Sequence, residues 1–139
     1  MTIGPGTNLG PYQVISTAGS GGMGTVYKAR DTRLDRIVAI KVLLDLSGNP
    51  ELTKRFEREA HAIAALNHPH ICTLYDVGRH ENIDYLVLEF LEGETLAARL
   101  ERGPLPIEEI MRYGMQLADA LEKAHRQGIT HRDFGCRPL

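Results

Sequence analysis

One lysine interrupts an otherwise apolar run, IVAIKVLL (Ile37 to Leu44), and one glutamate stands where the apolar stripe of ELTKRFEREAHAIAAL (Glu51 to Leu66) should continue. A charge taken out of water alone is costly, whereas one that meets an opposite charge through hydrogen bonds is tolerated. Lys41 and Glu59 are therefore expected to be each other's partners. The alternative is that Lys41 lays its stem along the apolar surface to reach water, with Glu59 at the edge of its stripe.

Upstream, Gly19-Ser20-Gly21-Gly22-Met23-Gly24 follows the spacing G-x-G-x-x-G, which is weak by itself. A dinucleotide-binding fingerprint would open a helix, but TVYKAR (Thr25 to Arg30) is β-branched and aromatic and reads as a strand. A Walker-type loop would continue with Lys-Ser/Thr, and none follows. A glycine hairpin laid over a ligand frees backbone N–H groups to approach phosphate oxygens. Ala39 shares a strand face with Lys41 because strand side chains alternate with period two. Lys41 is thus expected to reach phosphates while Ala39 and Val26, just past the hairpin, cover a flat base.

The elements that must hold these residues follow from pattern. YQVIS (Tyr12 to Ser16), TVYKAR and IVAIKVLL predict three strands, the last covered on both faces. A helix is expected over Glu51 to Leu66, with Leu52, Phe56, Ile63 and Leu66 on its buried stripe and Glu59 filling the gap. NHPH breaks it. ICTLYDVGR and DYLVLEF predict two more strands joined at HENI. Past LEGE the pattern becomes helical, from Thr95 to about Arg102 and from Ile107 to about Gln127. The long helix carries Ile107, Ile110, Met111, Gly114, Leu117, Leu121 and Ala124 on one side.

With 16 Lys and Arg against 18 Asp and Glu, a net charge of -2 argues against a nucleic-acid surface. Two cysteines, Cys72 and Cys136, are too few and too far apart for a disulfide framework or a metal site, and a reduced, cytoplasmic setting is expected. The N-terminus lacks the charged lead and apolar core of a signal peptide, and no stretch approaches the roughly 20 apolar residues of a membrane span. Any anchor is expected beyond Leu139.

Taken in order, GSGGMGTVYKARD, VAIK, RFEREAHAIAALNHPHI, YLVLEFLEGETL and AHRQGITHRD resemble the N-terminal part of a protein kinase domain, specifically bacterial serine/threonine kinases of the eukaryotic-like type. The resemblance runs from Tyr12 to Asp133. It implies an α+β fold: an N-lobe of a five-stranded antiparallel sheet plus one helix, then the first helices of an incomplete α-helical C-lobe. The expected divisions are a lead over 1–11, an ATP-binding lobe over 12–92, and a hinge end with partial C-lobe over 93–139.

The same resemblance implies roles. Lys41 would hold the α and β phosphates of ATP and be oriented by Glu59. Gly19, Gly21, Gly22 and Gly24 would form the flap, and Leu88 would close the back of the adenine pocket. The carbonyl of Glu89 and the N–H of Leu91 would hydrogen-bond the base. Asp133 would accept the proton of a protein substrate's hydroxyl, with Arg132 beside it.

Departures from the family pattern bear on activity. Ala18 replaces a bulkier aliphatic residue before the first glycine. After His131-Arg132-Asp133 the family carries a Lys two residues on and an Asn, a Mg²⁺ ligand, five on; Gly135 and Pro138 stand there. Asp133-Phe134-Gly135 could itself be read as the metal-binding D-F-G, but it lies where H-R-D belongs. Coincidence, or a junction left by a deletion or shifted frame, is the other reading. One carboxylate cannot serve both positions, and no metal ligand is assigned. Mg²⁺ is expected for the family with its protein ligands absent here. The chain alone is expected to be inactive, the alternatives being a non-catalytic nucleotide-binding or regulatory pseudokinase-like module, or a decayed fragment. The long helix is expected to expose its apolar side, so that a partner covers it. His68, His70 and His131 are expected to be structural, and Arg99, Arg102 and Arg112 to lie on solvated helix faces.

Overall fold

A computed structural model describes residues 3–21, 24–43 and 50–129. The chain divides into two compact units, Met1–Ala64 with Leu74–Leu91, and Ala65–Thr73 with Glu92–Leu139.

The first unit is built on strands β1 (Asn8–Leu9), β2 (Tyr12–Gly21), β3 (Gly24–Asp31), β4 (Arg36–Leu43), β5 (Leu74–His80) and β6 (Ile83–Glu89), with helix α1 (Pro50–Ala64) between β4 and β5. They form one sheet in the order β1-β2-β3-β4-β6-β5, every neighbouring pair antiparallel. The five expected strands are present, and the Gly/Pro-rich lead adds the two-residue β1. Its Leu9 is fully buried, which the lead's composition did not suggest.

Strand alternation divides the side chains between two faces. One carries the core: Tyr12, Val14, Ala29, Val38, Ile40, Tyr85 and Val87, sealed by Ile3 and Leu9. The other carries Val26, Lys28, Ala39, Lys41, Leu86 and Leu88. At Val38, Ala39 and Ile40 three consecutive residues are buried, so the middle of β4 is covered on both faces, as the apolar residues before Lys41 predict.

β2 is longer than its composition indicates, because pairing with β3 carries it through the glycines to Gly21. Register shifts between Val14 and Ser16 and between Thr17 and Gly19 leave Ile15 and Ala18 as extra residues, and such bulges bend a strand and increase its twist. β5 starts three residues later than expected, since the Ile71 N–H donates to the His68 carbonyl at 3.1 Å and closes a turn first.

The β3–β4 turn is organised by a buried carboxylate. Asp31 Oδ1 accepts the backbone N–H groups of Arg33 at 3.0 Å and Leu34 at 3.3 Å, while the Arg33 and Arg36 guanidinium groups lie 3.9 and 3.7 Å away. Arg36 stacks on Tyr75, 3.9 Å from the ring centroid. Arg33 also donates to the Tyr12 hydroxyl at 3.1 Å, and that hydroxyl donates to Asp76 at 2.8 Å. The network ties β2, the turn and β5 together across 64 residues of sequence. Opposite Gly78, its cross-strand partner Tyr85 lies flat against the β5 backbone, where any Cβ would strike the ring.

The second unit holds α2 (Leu96–Leu100) and α3 (Ile107–Arg126). Thr95 caps α2, its hydroxyl accepting the Ala98 N–H at 3.0 Å. α3 ends in a Schellman motif: Ile129 N–H to Ala124 carbonyl at 2.9 Å and Gly128 N–H to His125 carbonyl at 3.0 Å, with Gly128 at φ 76°. No helix among the described residues is long and apolar enough to cross a membrane.

Burial first, and then the hydrogen bond to Asp76, push the Tyr12 phenol up to about 12. Its folded value lies above the ordinary value of 10.0, so the stability it contributes is complete below pH 10 and is lost as pH rises through 12. Titration at the phenolate absorbance should show a tyrosine ionising near pH 12 that disappears in Tyr12→Phe.

Candidate functional site

The β2–β3–β4–β6 register aligns the candidate residues in two adjacent rows on one sheet face. In the first, Gly19 pairs with Val26, Val26 with Lys41, and Lys41 with Leu86. In the second, Ser16 pairs with Lys28, Lys28 with Ala39, and Ala39 with Leu88. Leu88 pairs on its far side with Leu74. Directly opposed residues in antiparallel strands point to the same side, so Val26, Ala39, Lys41 and Leu88 share one surface although they come from three strands.

The character of that surface is specific. Ala39 is 8% exposed, and its single methyl leaves a shallow place between Val26 and Leu88. Lys41, half-buried, stands in the adjacent row between Val26 and Leu86, on the side nearer the glycine hairpin. The residues present therefore fit a ligand with a flat apolar part and an anionic part.

The hairpin closes with Gly21 paired to Gly24. Gly24 sits at φ 134°, and a Cβ there would collide with the Val42 carbonyl oxygen. Gly19 has ordinary backbone and open space around it. The glycines lead into strand β3 and not into a helix, which removes the dinucleotide-fingerprint alternative. Gly22 lies outside the described residues.

At the other end of the surface, Glu89 pairs with Val38 and closes the β4–β6 ladder. Leu91 follows just past β6 and is exposed. Glu59 lies in α1 one turn after Phe56, but its side chain is outside the described residues, as is Asp133. Of the expected α1 stripe, Phe56 is half-buried, and Leu66 is buried beyond the helix end. Ile63 is exposed, and the neighbouring Ala60 is buried in its place. The side of the helix that packs is thus rotated slightly from the side chosen by counting large residues.

The protein kinase domain family matches residues 12–135. The chain belongs to the protein kinase family. A probable serine/threonine-protein kinase of Clostridium perfringens is 45% identical over 124 residues, covering 88% of this chain and 18% of that protein. The serine/threonine-protein kinase PrkC of Bacillus subtilis is 42% identical over 127 residues, covering 90% of this chain and 20% of that protein. This kinase chain thus spans about a fifth of the length of these curated relatives. The crystal structure of the Mycobacterium tuberculosis PknI kinase domain superposes with a TM-score of 0.87 at 29% identity, covering 98% of this chain and 57% of that one.

In the second unit of the kinase chain, His68 is structural, as its place in the turn suggested, and one arginine departs from the sequence reading. His68 Nδ1 accepts the His70 N–H at 3.0 Å, which leaves the proton on Nε2, and Nε2 donates to Asp119 at 3.0 Å. The turn after α1 is thereby tied to α3, a link 51 residues long. Arg99 is not on a solvated face: it is half-buried and 3.6 Å from Glu109. Arg102 does lie at the surface, in a two-pronged pair with Glu94. Among the described residues no cluster of His, Cys, Asp and Glu is suited to a metal ion.

Gly24→Ala is expected to destabilise the kinase lobe by roughly 1–3 kcal/mol, since both the backbone angle and the Val42 carbonyl oppose it. Gly19→Ala should leave the thermal midpoint within about 2 °C of the parent, because no neighbour and no unusual angle is involved. Parallel thermal melts compare the two.

Proposed function

We propose that residues 12–92 form the ATP-binding lobe of a serine/threonine protein kinase and that residues 93–139 begin its helical lobe. The observation that carries this reading is the pair of rows Gly19–Val26–Lys41 and Lys28–Ala39–Leu88, which set a cation beside an apolar floor under a glycine hairpin.

Val26 and Ala39 cover the adenine from one side, and Leu88 closes the back. The Glu89 carbonyl accepts from the base's amino group, and the Leu91 N–H donates to a ring nitrogen. The Lys41 ammonium lies against the α and β phosphates with Glu59 as its carboxylate partner, and the N–H groups of Gly19, Gly21, Gly22 and Gly24 face phosphate oxygens. ATP, when bound, supplies the phosphoryl group transferred to a Ser or Thr hydroxyl of a protein substrate. In that reaction Asp133 takes the hydroxyl's proton.

Mg²⁺ fits less well. Pro138, at the position of the family's Asn ligand, offers no side-chain donor, and Gly135 replaces a lysine. The 139-residue chain therefore binds nucleotide without transferring phosphate at a kinase-like rate. Calorimetric titration should detect ATP binding, and Lys41→Met should weaken it about 10- to 100-fold, the range for losing a hydrogen-bonded charge. Transfer of labelled phosphate to a basic protein should stay at background. No binding by the parent chain, or Lys41→Met binding as tightly, overturns the nucleotide reading; phosphate transfer abolished in Lys41→Met overturns the inactivity.

A second reading, a regulatory module docked on another protein, draws on α3. Ile107, Ile110, Met111 and Met115 are 75, 52, 63 and 71% exposed, while Tyr113, Leu117 and Ala120 turn inward. An apolar strip of this kind drives association in water. Sedimentation should show concentration-dependent self-association of the chain, relieved by Ile110→Glu with Met111→Lys. A monomer at all concentrations would argue against it.

A further inference from the structure

Lys28 shares the face of Lys41 but has no part in the roles above. Its neighbours along the row, Ser16 and Ala39, are too small to fill the space beside it. Its ammonium stands 5.1 Å from the centroid of the Phe90 ring. Both side chains are half-buried, a setting in which the attraction of a cation to a ring face exceeds its value in open water.

Phe90 stands at a sensitive point of the backbone. β6 ends at Glu89, whose pairing with Val38 is the final one of the β4–β6 ladder. Phe90 therefore lies between the carbonyl and the N–H assigned to the base, where that ladder no longer holds the chain. A ring anchored from β3 restricts the peptide units on both sides of it.

We propose that Lys28 is a positioning residue of the nucleotide site: by holding Phe90 from across the sheet, it sets the directions of the Glu89 carbonyl and the Leu91 N–H and so raises affinity for the base. This rests on the nucleotide reading above. The latch is a contact between side chains on β3 and just past β6, so it exists in the ligand-free chain and can be measured there.

Two measurements on the full chain separate the latch from the reading beneath it. Backbone amide exchange at residues 89–91, without nucleotide, should quicken about two- to fivefold in Lys28→Leu and return toward the parent rate in Lys28→Arg, which keeps the cation. ATP affinity by calorimetry should fall by a similar two- to fivefold factor in Lys28→Leu and recover in Lys28→Arg. Unchanged exchange in Lys28→Leu, or failure of Lys28→Arg to restore it, overturns the latch whatever the nucleotide data show. Altered exchange with unchanged ATP affinity overturns the positioning role. A parent chain that binds no ATP overturns the nucleotide reading and with it the positioning role, while exchange alone still decides whether Lys28 holds Phe90.

Discussion

Everything assigned to the candidate site depends on the register between β3 and β4. Side chains alternate with period two, so a slip of one residue would turn Lys41 into the core and bring Ile40 to the opposite, candidate-site face. Both ends of the pair are pinned by local chemistry. At one end the Asp31 carboxylate gathers two backbone N–H groups and two arginines. At the other, Gly24 takes an angle and a closeness to Val42 that no side chain would permit. Between these anchors the alternation of Val38 and Ile40 with Ala39 and Lys41 leaves one arrangement that buries the large residues.

The two faces of the sheet divide the work. The core face is large and aromatic: Tyr12 donates to Asp76 and accepts from Arg33, while Tyr85 packs edge-on to Tyr12 and against Gly78. Burial raises both phenols above their ordinary value of 10.0, so both stay protonated well past the neutral range. The opposite face is small, with Ala39 at its centre, and carries cations at Lys28 and Lys41. A rigid, filled side supporting a shallow, charged one is the arrangement that lets a ligand site hold its shape without the ligand.

In the second unit the chemistry is structural. His68 is held in one tautomer by the His70 N–H, and through Asp119 it fastens the turn 65–73 to α3. Arg99 and Glu109 lie 3.6 Å apart, both half-buried, while the Thr95 cap of α2 and the Schellman end of α3 satisfy backbone groups that the helix termini would otherwise leave without partners. What this unit leaves open is apolar: the first half of α3 presents Ile107, Ile110, Met111 and Met115 outward.

Much of the fold and part of the site were legible in the amino-acid sequence. Period-two and period-3.6 patterns placed five strands and three helices, and motif order indicated the kinase family, because local conformation follows from side-chain spacing and turn chemistry. The sharing of a face by Ala39 and Lys41 needed no more than alternation within one strand. Other features arise only from pairing and packing between segments distant in the chain. The glycine-rich second half of β2 becomes strand because β3 runs alongside it, and Leu9 is buried because β1 pairs with β2. Ile63 gives way to Ala60, Arg99 is drawn inward toward Glu109, and Lys28 finds Phe90 from far along the chain. Sequence alone determined what each segment prefers to be; tertiary structure decided which segments meet, since a cross-strand neighbour or a ring within reach of a cation has no trace in local spacing.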